Sequence, residues 1–423
     1  MSNISRAGVG KADILVRNSG FKWVILLIAT LAQASACFFV QGLGAIAAFI
    51  QDDLQLSALQ IGLLMSAAQL LPLAGLIVAG ELLDRFGERF VVGCGGLLVG
   101  LALSSAMFVH GYLPILGVLL IVGAVYSTAQ PGGSKAVSSW FSSRQRGLAM
   151  GIRQAGLPLG GALSAAILPY VALAWGWQAA FLVGGAAAAL GALIFITVYR
   201  DPPDKVSTAA PGRKFALREE LSARLAMLRE PAMKNIVLSG VSLVSIQYGF
   251  LMFAVLHLHD TIGLPVTQAA SLLFLAQMAG AVGRVLLAAW SDHSRGGRYL
   301  PVLISLVAIL PGLLVLAWMP VHAPLLLGAL MVWLGFFGFG WYGPWVTYVA
   351  EAAPVGKTGF ALGLAMAVNQ IAIVLVPPAL GALKDLTRSY LPGFGILIAM
   401  GVGALLLTRQ SACSAMRQNP ELP

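Results

Sequence analysis

Apolar stretches of about 20 residues, enough to cross a bilayer as helix at 1.5 Å per residue, recur along the chain between short polar breaks. The pattern predicts six spans near 23–50, 59–80, 91–109, 112–134, 147–170 and 177–198. Six more follow near 235–256, 266–290, 299–320, 323–350, 359–380 and 391–408. The short alternation of polar and apolar positions that marks a transmembrane β-barrel is absent, so the expected class is an all-α membrane protein of 12 transmembrane helices. A polar segment, 1–22, precedes the first span and carries Arg6, Lys11, Arg17 and Lys22. The apolar run after it is too long for a signal-peptide core, so the first span is expected to stay as an uncleaved anchor.

Composition agrees with the pattern. Of the 423 residues 59% are apolar and 10% charged, against about 25% charged in soluble domains. Net charge is +10, yet the basic residues are spread among the spans and form no patch for nucleic acid. Placing both termini in the cytoplasm puts only Lys384 and Arg388 of the 26 Lys and Arg residues outside, with Arg153 and Arg284 inside spans. The expected organisation is a cytoplasmic tail (1–22), a six-helix bundle (23–198), a cytoplasmic linker (199–234), a second six-helix bundle (235–408) and a cytoplasmic tail (409–423). In the linker, Phe215, Leu221, Leu225 and Leu228 recur at helical spacing opposite Arg218, Glu219 and Arg224, as in a surface-lying amphipathic helix or a solvated tether. The cysteines, Cys37, Cys94 and Cys413, have no paired spacing and imply neither disulfide nor metal site.

Two segments recur about half the chain apart. After the second span stands Gly80-Glu-Leu-Leu-Asp84-Arg85-Phe-Gly87-Glu-Arg89, and after the eighth Trp290-Ser-Asp292-His-Ser-Arg295-Gly-Gly-Arg298. The fifth span opens with Gly147-Leu-Ala149-Met-Gly151 and the eleventh with Gly359-Phe-Ala361-Leu-Gly363. A parallel repeat of two six-helix halves with a site between them is a transporter plan. The first segment resembles the "G-x-L-x-D-R-x-G-x-R" signature of the major facilitator superfamily, and the resemblance covers the whole chain. It implies the major facilitator fold, with two six-helix pseudo-repeats. It also implies a gating role for Gly80, Asp84, Arg85, Gly87 and Arg89, and for Asp292 and Arg298 in the degenerate copy. There, Asp84 is expected to accept bonds from backbone donors and neighbouring loop arginines and so lock the halves in one state. The segment Trp140-Phe141-Ser-Ser-Arg144-Gln-Arg146-Gly147 resembles branches that carry anions: monocarboxylate, oxalate/formate, nitrate/nitrite and cyanate porters. Arg284 stands where monocarboxylate carriers keep a substrate-binding arginine. The oxalate/formate branch keeps a lysine deep in the eleventh span, where this chain has Asn369 and Gln370.

A charge in the membrane core costs about 2.5 kcal/mol or more, which makes Arg153 and Arg284 candidate substrate ligands. All sixteen carboxylates can be assigned to loops, tails or helix ends, so no embedded acid is expected to pair with them. A cavity with uncompensated guanidinium charge attracts a carboxylate or nitrate and repels an organic cation. Tyr126, Gln277, Tyr342 and Asn369 are the chosen neutral contacts; Gln33, Gln41, Gln69, Gln130, Gln154, Gln247, Tyr248, Trp341 and Gln370 also qualify as inward-facing groups. The histidines, His257 among them, fall at helix ends or in loops, and His257, His259 and Asp260 read as solvated surface. Trp175 and Trp177 read as interfacial anchors. Gly156-Leu-Pro158-Leu-Gly160-Gly161 resembles an element of drug/proton antiporters.

The expected function is a secondary active transporter of a small anion, most simply a carboxylate, working by alternating access. The expected mode is uptake coupled to a proton or counter-anion, in a monomer in the bacterial inner membrane. No enzyme chemistry, cofactor or metal is expected. The alternative is a drug or metabolite efflux antiporter, and a transporter-like sensor is a third reading.

Overall fold

The computed structural model describes residues 5–141, 143–201, 231–293, 298–318, 323–353 and 358–418. The linker helix expected around Phe215 to Leu228 lies outside them, as do the side chains of Arg144 and Arg146. Every regular element among the described residues is helical.

Among the described residues eleven helices are long and apolar enough to cross a membrane: Gly20–Leu54, Val78–Phe108, Tyr112–Trp140, Leu148–Trp175, Trp177–Val198, Met233–Asp260, Val266–His293, Leu300–Trp318, Pro324–Ala352, Ala361–Thr387 and Leu391–Thr408. A shorter apolar helix, Ala58–Leu70, carries the start of the second predicted span. Ser57 caps it by accepting a bond from the Gln60 backbone N–H, while Gln60 Oε1 accepts one from the Ser57 backbone N–H, a capping box. That span then continues into the helix Pro72–Ser105, which breaks at Gly87, where φ is 77° and ψ 168°. Glycine takes that conformation without a Cβ clash. The loop expected between the second and third spans is therefore almost entirely helical.

Packing repeats between the first six spans and the last six. The first span lies on the fifth as the seventh lies on the eleventh; second-on-fourth matches eighth-on-tenth, and third-on-sixth matches ninth-on-twelfth. The sets meet through second with eleventh, fifth with eighth and first with seventh. Small residues permit that approach. A Cβ on Gly62 would stand 2.5 Å from the Pro377 carbonyl oxygen, and one on Gly381 2.3 Å from that of Ala58. Large apolar side chains such as Leu101, Leu113, Leu173 and Leu325 are exposed, as a hydrocarbon solvent requires.

The two ends of the bundle differ. At one, both Asp385 carboxylate oxygens accept from the opposite set of spans, from the Ala58 and Leu59 amides at 2.8 Å each. Deeper in, Ser66 Oγ donates to the Val374 carbonyl at 2.6 Å and Gln370 Nε2 to that of Gln69 at 2.6 Å. At the other end the ion pairs among the described residues stay within one set: Lys135 with Asp84 at 2.7 Å, and Arg298 with Asp292 and Glu351.

Two aromatic assignments need correction. Trp175 is 75% exposed, as an anchor would be, but Trp177 is 4% exposed and donates its indole N–H to Asp53 at 2.7 Å. His257 ends its helix as expected yet is 3% exposed, with Nε2 3.0 Å from the Leu316 carbonyl and its ring against Tyr390 and Phe394. Asp260 is likewise engaged, accepting from the Tyr390 hydroxyl. The packing of the helix ends against one another, which hydropathy does not encode, buries this cluster.

Candidate functional site

Three spans lose helix hydrogen bonds just before a proline, Pro72, Pro131 or Pro344, while the backbone stays in the helical region: at Leu71 in the second, at Ser127–Thr128 between Tyr112–Tyr126 and Ala129–Trp140 in the fourth, and at Trp341 between Pro324–Gly340 and Tyr342–Ala352 in the tenth. The fourth and tenth spans occupy corresponding places in the two repeats, so these two kinks are paired. Tyr126 closes the first piece of the fourth span and Tyr342 opens the second piece of the tenth. Both face the interior.

Arg153, in the fifth span, is fully buried. Its Nη1 donates to Gln33 Oε1 at 3.0 Å and its Nη2 to Ser134 Oγ at 2.7 Å, while Nε has no partner. Gln33 in turn donates weakly to the Tyr126 hydroxyl at 3.5 Å. Arg284, in the eighth span, is 4% exposed. Its Nε donates to the Phe339 carbonyl at 3.1 Å, and its Nη1 crosses to the other set of spans, to the Gln154 carbonyl at 2.9 Å. Its guanidinium carbon stands 5.2 Å from the centroid of the Tyr342 ring, a cation–π distance. The two arginines thus approach the fifth span at adjacent residues, one rooted there and one arriving from the eighth.

Among the described residues neither guanidinium has a carboxylate partner. Each lies within electrostatic reach of the other and of Tyr126 and Tyr342, and Arg284 also of Tyr248 and Cys37. Tyr248 lies beside Gln41, and Tyr342 beside Gln130, each pair drawn from both sets of spans. Five donors sit on each guanidinium, and neutral acceptors satisfy two of them in each case, an amide and a hydroxyl at Arg153 and two backbone carbonyls at Arg284. Burial of two like charges on neutral partners is costly unless an anion joins them.

Gln277 and Asn369 are buried in other surroundings. Gln277 lies seven residues before Arg284, about 10 Å along the same helix, and is fully buried against Gly161 of the fifth span. Asn369 is 5% exposed beside Gly240 and Trp345, whose ring packs on Tyr342 at 6.0 Å. Both polar atoms of each amide lack a partner. The structure therefore gathers Arg153, Arg284, Tyr126 and Tyr342 around one point and does not bring Gln277 or Asn369 into contact with them. Ser134, which binds Arg153 directly, carries no distinguishing sequence signal. The Gln154 contact uses a backbone carbonyl, which no side-chain pattern reveals.

The signature residues lie at the end where ion pairs stay within one set of spans. Asp84 is bound by Lys135 of the fourth span; the side chains of Arg144 and Arg146, the arginines of the neighbouring loop, lie outside the described residues. Arg89 donates to the Ile196 carbonyl at 2.6 Å, and Arg85 sits 5.3 Å from the Phe86 ring. A Cβ added at Gly80 would meet open space, and Gly87 supplies the turn. Glu88, also in this loop, is 2% exposed and 3.7 Å from Lys135.

Membrane-length helices packed as two matching sets, around a cationic point deep in an apolar bundle, define a polytopic membrane transporter. The chain belongs to the Major Facilitator Superfamily, whose family model matches residues 29–377. It is 30% identical to an uncharacterized MFS-type transporter of Mycobacterium tuberculosis, over 86% of this chain and 80% of that one. It is 28% identical to a probable sulfoacetate transporter of Cupriavidus necator (85% and 86% covered), and 25% identical to a probable galactarate/D-glucarate transporter of Bacillus subtilis (84% and 83%). In fold it resembles a bacterial homolog of the human lysosomal transporter Spinster, with TM-score 0.69, 18% identity, and 94% of this chain and 97% of that one covered.

Proposed function

We propose that the protein is a secondary transporter of a small organic anion, with Arg284 as the principal anion ligand. The observation that carries this reading is the pair of buried arginines without a carboxylate partner among the described residues. An anion entering between them replaces an unfavourable like-charge pair with charge-assisted, fork-shaped hydrogen bonds. The relatives named for sulfoacetate and for galactarate/D-glucarate support it, since each of those compounds is an anion at neutral pH.

The transport cycle is alternating access. Two six-helix bundles, 23–198 and 235–408, rock about the Arg284 level, opening first the Asp84 end and then the Asp385 end. Gly80, Asp84, Arg85, Gly87 and Arg89, with Asp292 and Arg298, set the gate at the first end, which faces the cytoplasm along with both termini. Uptake into the cell is coupled to a proton or to a counter-anion, and the working unit is a monomer in the inner membrane.

A thermal-shift screen of purified protein against carboxylates, nitrate and lipophilic cations tests the binding step, because a ligand of the folded state raises its stability by mass action. The expected result is stabilisation by one class of carboxylate that is lost in Arg284→Gln. Stabilisation by cations, or anion shifts that survive the substitution, would overturn the assignment and favour efflux of amphipathic compounds.

A further inference from the structure

Arg153 is buried too completely to meet an incoming anion. It has no exposed surface, whereas Arg284 keeps 4% and Tyr126 8%. Both of its terminal nitrogens are committed to its own set of spans, Nη1 to Gln33 Oε1 and Nη2 to Ser134 Oγ. Ser134 in turn donates to the Gln130 carbonyl at 2.8 Å, which fixes its hydroxyl proton within the fourth span. A Cβ on Gly133 would stand 3.1 Å from Nη1, so the guanidinium fills its seat on that side.

From Arg153 the bonds run in one direction. A guanidinium only donates, so the Gln33 oxygen faces it, and the amide N–H group is thereby turned the other way, to the Tyr126 hydroxyl oxygen. With its oxygen accepting from Gln33, the Tyr126 hydroxyl keeps its own proton to donate, and that proton has no acceptor among the described residues. Exposure rises along the same path, from Arg153 through Gln33 at 1% to Tyr126. Each bond in such a chain polarises the next. The chain ends in a phenolic donor within electrostatic reach of Arg284.

We infer that Arg153 is a positioning residue and not an anion ligand: acting through Gln33, it turns the Tyr126 O–H into the site, where Tyr126 donates to the anion that Arg284 holds. This rests on reading the central site as an organic-anion site. The two sets of spans then contribute differently, the last six a charged ligand and the first six an oriented neutral donor. The charge of Arg153 adds to the field that draws the anion in, without contact.

A double-mutant cycle tests the role, with binding to the purified full chain measured by titration calorimetry. The probes are galactarate, sulfoacetate and acetate, and the cycle uses the one that binds the wild type most tightly. Tyr126→Phe removes one bond to a charged group and is expected to weaken binding about tenfold. Gln33→Met, which changes no charge, should weaken binding about threefold or more when Tyr126 is present, and by less than about twofold in the Tyr126→Phe background. Arg153→Gln should also weaken it, and Arg153→Lys, whose ammonium can still donate to Gln33 Oε1, should restore it to within about threefold of the wild type.

If Arg284→Gln abolishes binding but Gln33→Met costs the same in both backgrounds, or Tyr126→Phe costs nothing, the positioning role is wrong and the organic-anion reading stands. If none of the three probes binds the wild type, both fall. Should Gln33→Met not fold, the Arg153 variants decide: a loss in Arg153→Gln that lysine does not restore, or that is as large in the Tyr126→Phe background, overturns the role.

Discussion

Gly161→Ala isolates the contact that joins the fifth span to the eighth. A Cβ at this position would stand 1.7 Å from Gln277 Oε1 and 2.6 Å from its Cδ, so the amide must leave its place or the helices must part. Overpacking of this kind costs about 1–3 kcal/mol. Alanine recovers about 0.5–1 kcal/mol over glycine inside a helix, which leaves a net loss on the order of 1–2 kcal/mol. The obstructing atoms belong entirely to one side chain, so Gln277→Ala should restore the stability of Gly161→Ala. The neighbouring Gly160→Ala behaves differently: its Cβ would meet the Ala34 carbonyl oxygen at 2.3 Å, and the same truncation cannot relieve a clash with backbone. Thermal unfolding in detergent, followed by tryptophan fluorescence on the single variants and the two double variants with Gln277→Ala, gives the comparison. The expected pattern is a drop of a few degrees for each single glycine substitution, with rescue confined to the Gly161 pair. Rescue of both, or of neither, would show that the fifth and eighth spans do not meet at Gln277.

Other consequences follow from named contacts. Asp385→Ala removes the carboxylate that holds the Ala58 and Leu59 amides across the closed end; a lost helix cap of ~1 kcal/mol shifts the closed-to-open ratio there about fivefold. Faster maleimide labelling of a Ser66→Cys probe in a cysteine-free background reads that shift. Trp177→Phe, which abolishes the indole bond to Asp53, should lower stability by about 1 kcal/mol, whereas Trp175→Phe, exposed to lipid, should leave the unfolding temperature unchanged. Asp84→Asn should change stability by no more than ~1 kcal/mol, because its ion pair with Lys135 is largely exposed, so a large loss of transport in this variant would come from gating.

The spans were legible because hydropathy alone reports them, and the two arginines because a charge inside an apolar run has few structural uses. The kinks in the fourth and tenth spans were signalled by Pro131 and Pro344, whose missing N–H groups leave the Ser127 and Gly340 carbonyls without a helix donor, a signal that hydropathy does not carry. Tyr126 and Tyr342 were found as polar groups at membrane depth, although the reason they converge, their position at those kinks, appears only in three dimensions. Partners on other spans were beyond reach. Asp84 finds Lys135, and Trp177 finds Asp53, through helix packing that places distant positions side by side. Trp175 and Trp177, two residues apart and alike in sequence, separate into lipid and core because Gly176 turns the chain between them at φ 82°. Gly161 read as a helix-packing residue; that it receives the amide of Gln277 from the other set of spans needed the coordinates.

The central claim is that an organic anion crosses the membrane by way of Arg284. Its most direct test is uptake of radiolabelled galactarate into proteoliposomes, measured with and without an inward proton gradient or an internal counter-anion, for wild-type protein and Arg284→Gln. The account predicts saturable uptake that a gradient or counter-anion stimulates, that unlabelled galactarate abolishes, and that Arg284→Gln reduces to the level of empty vesicles. Wild-type uptake that persists in Arg284→Gln would contradict it.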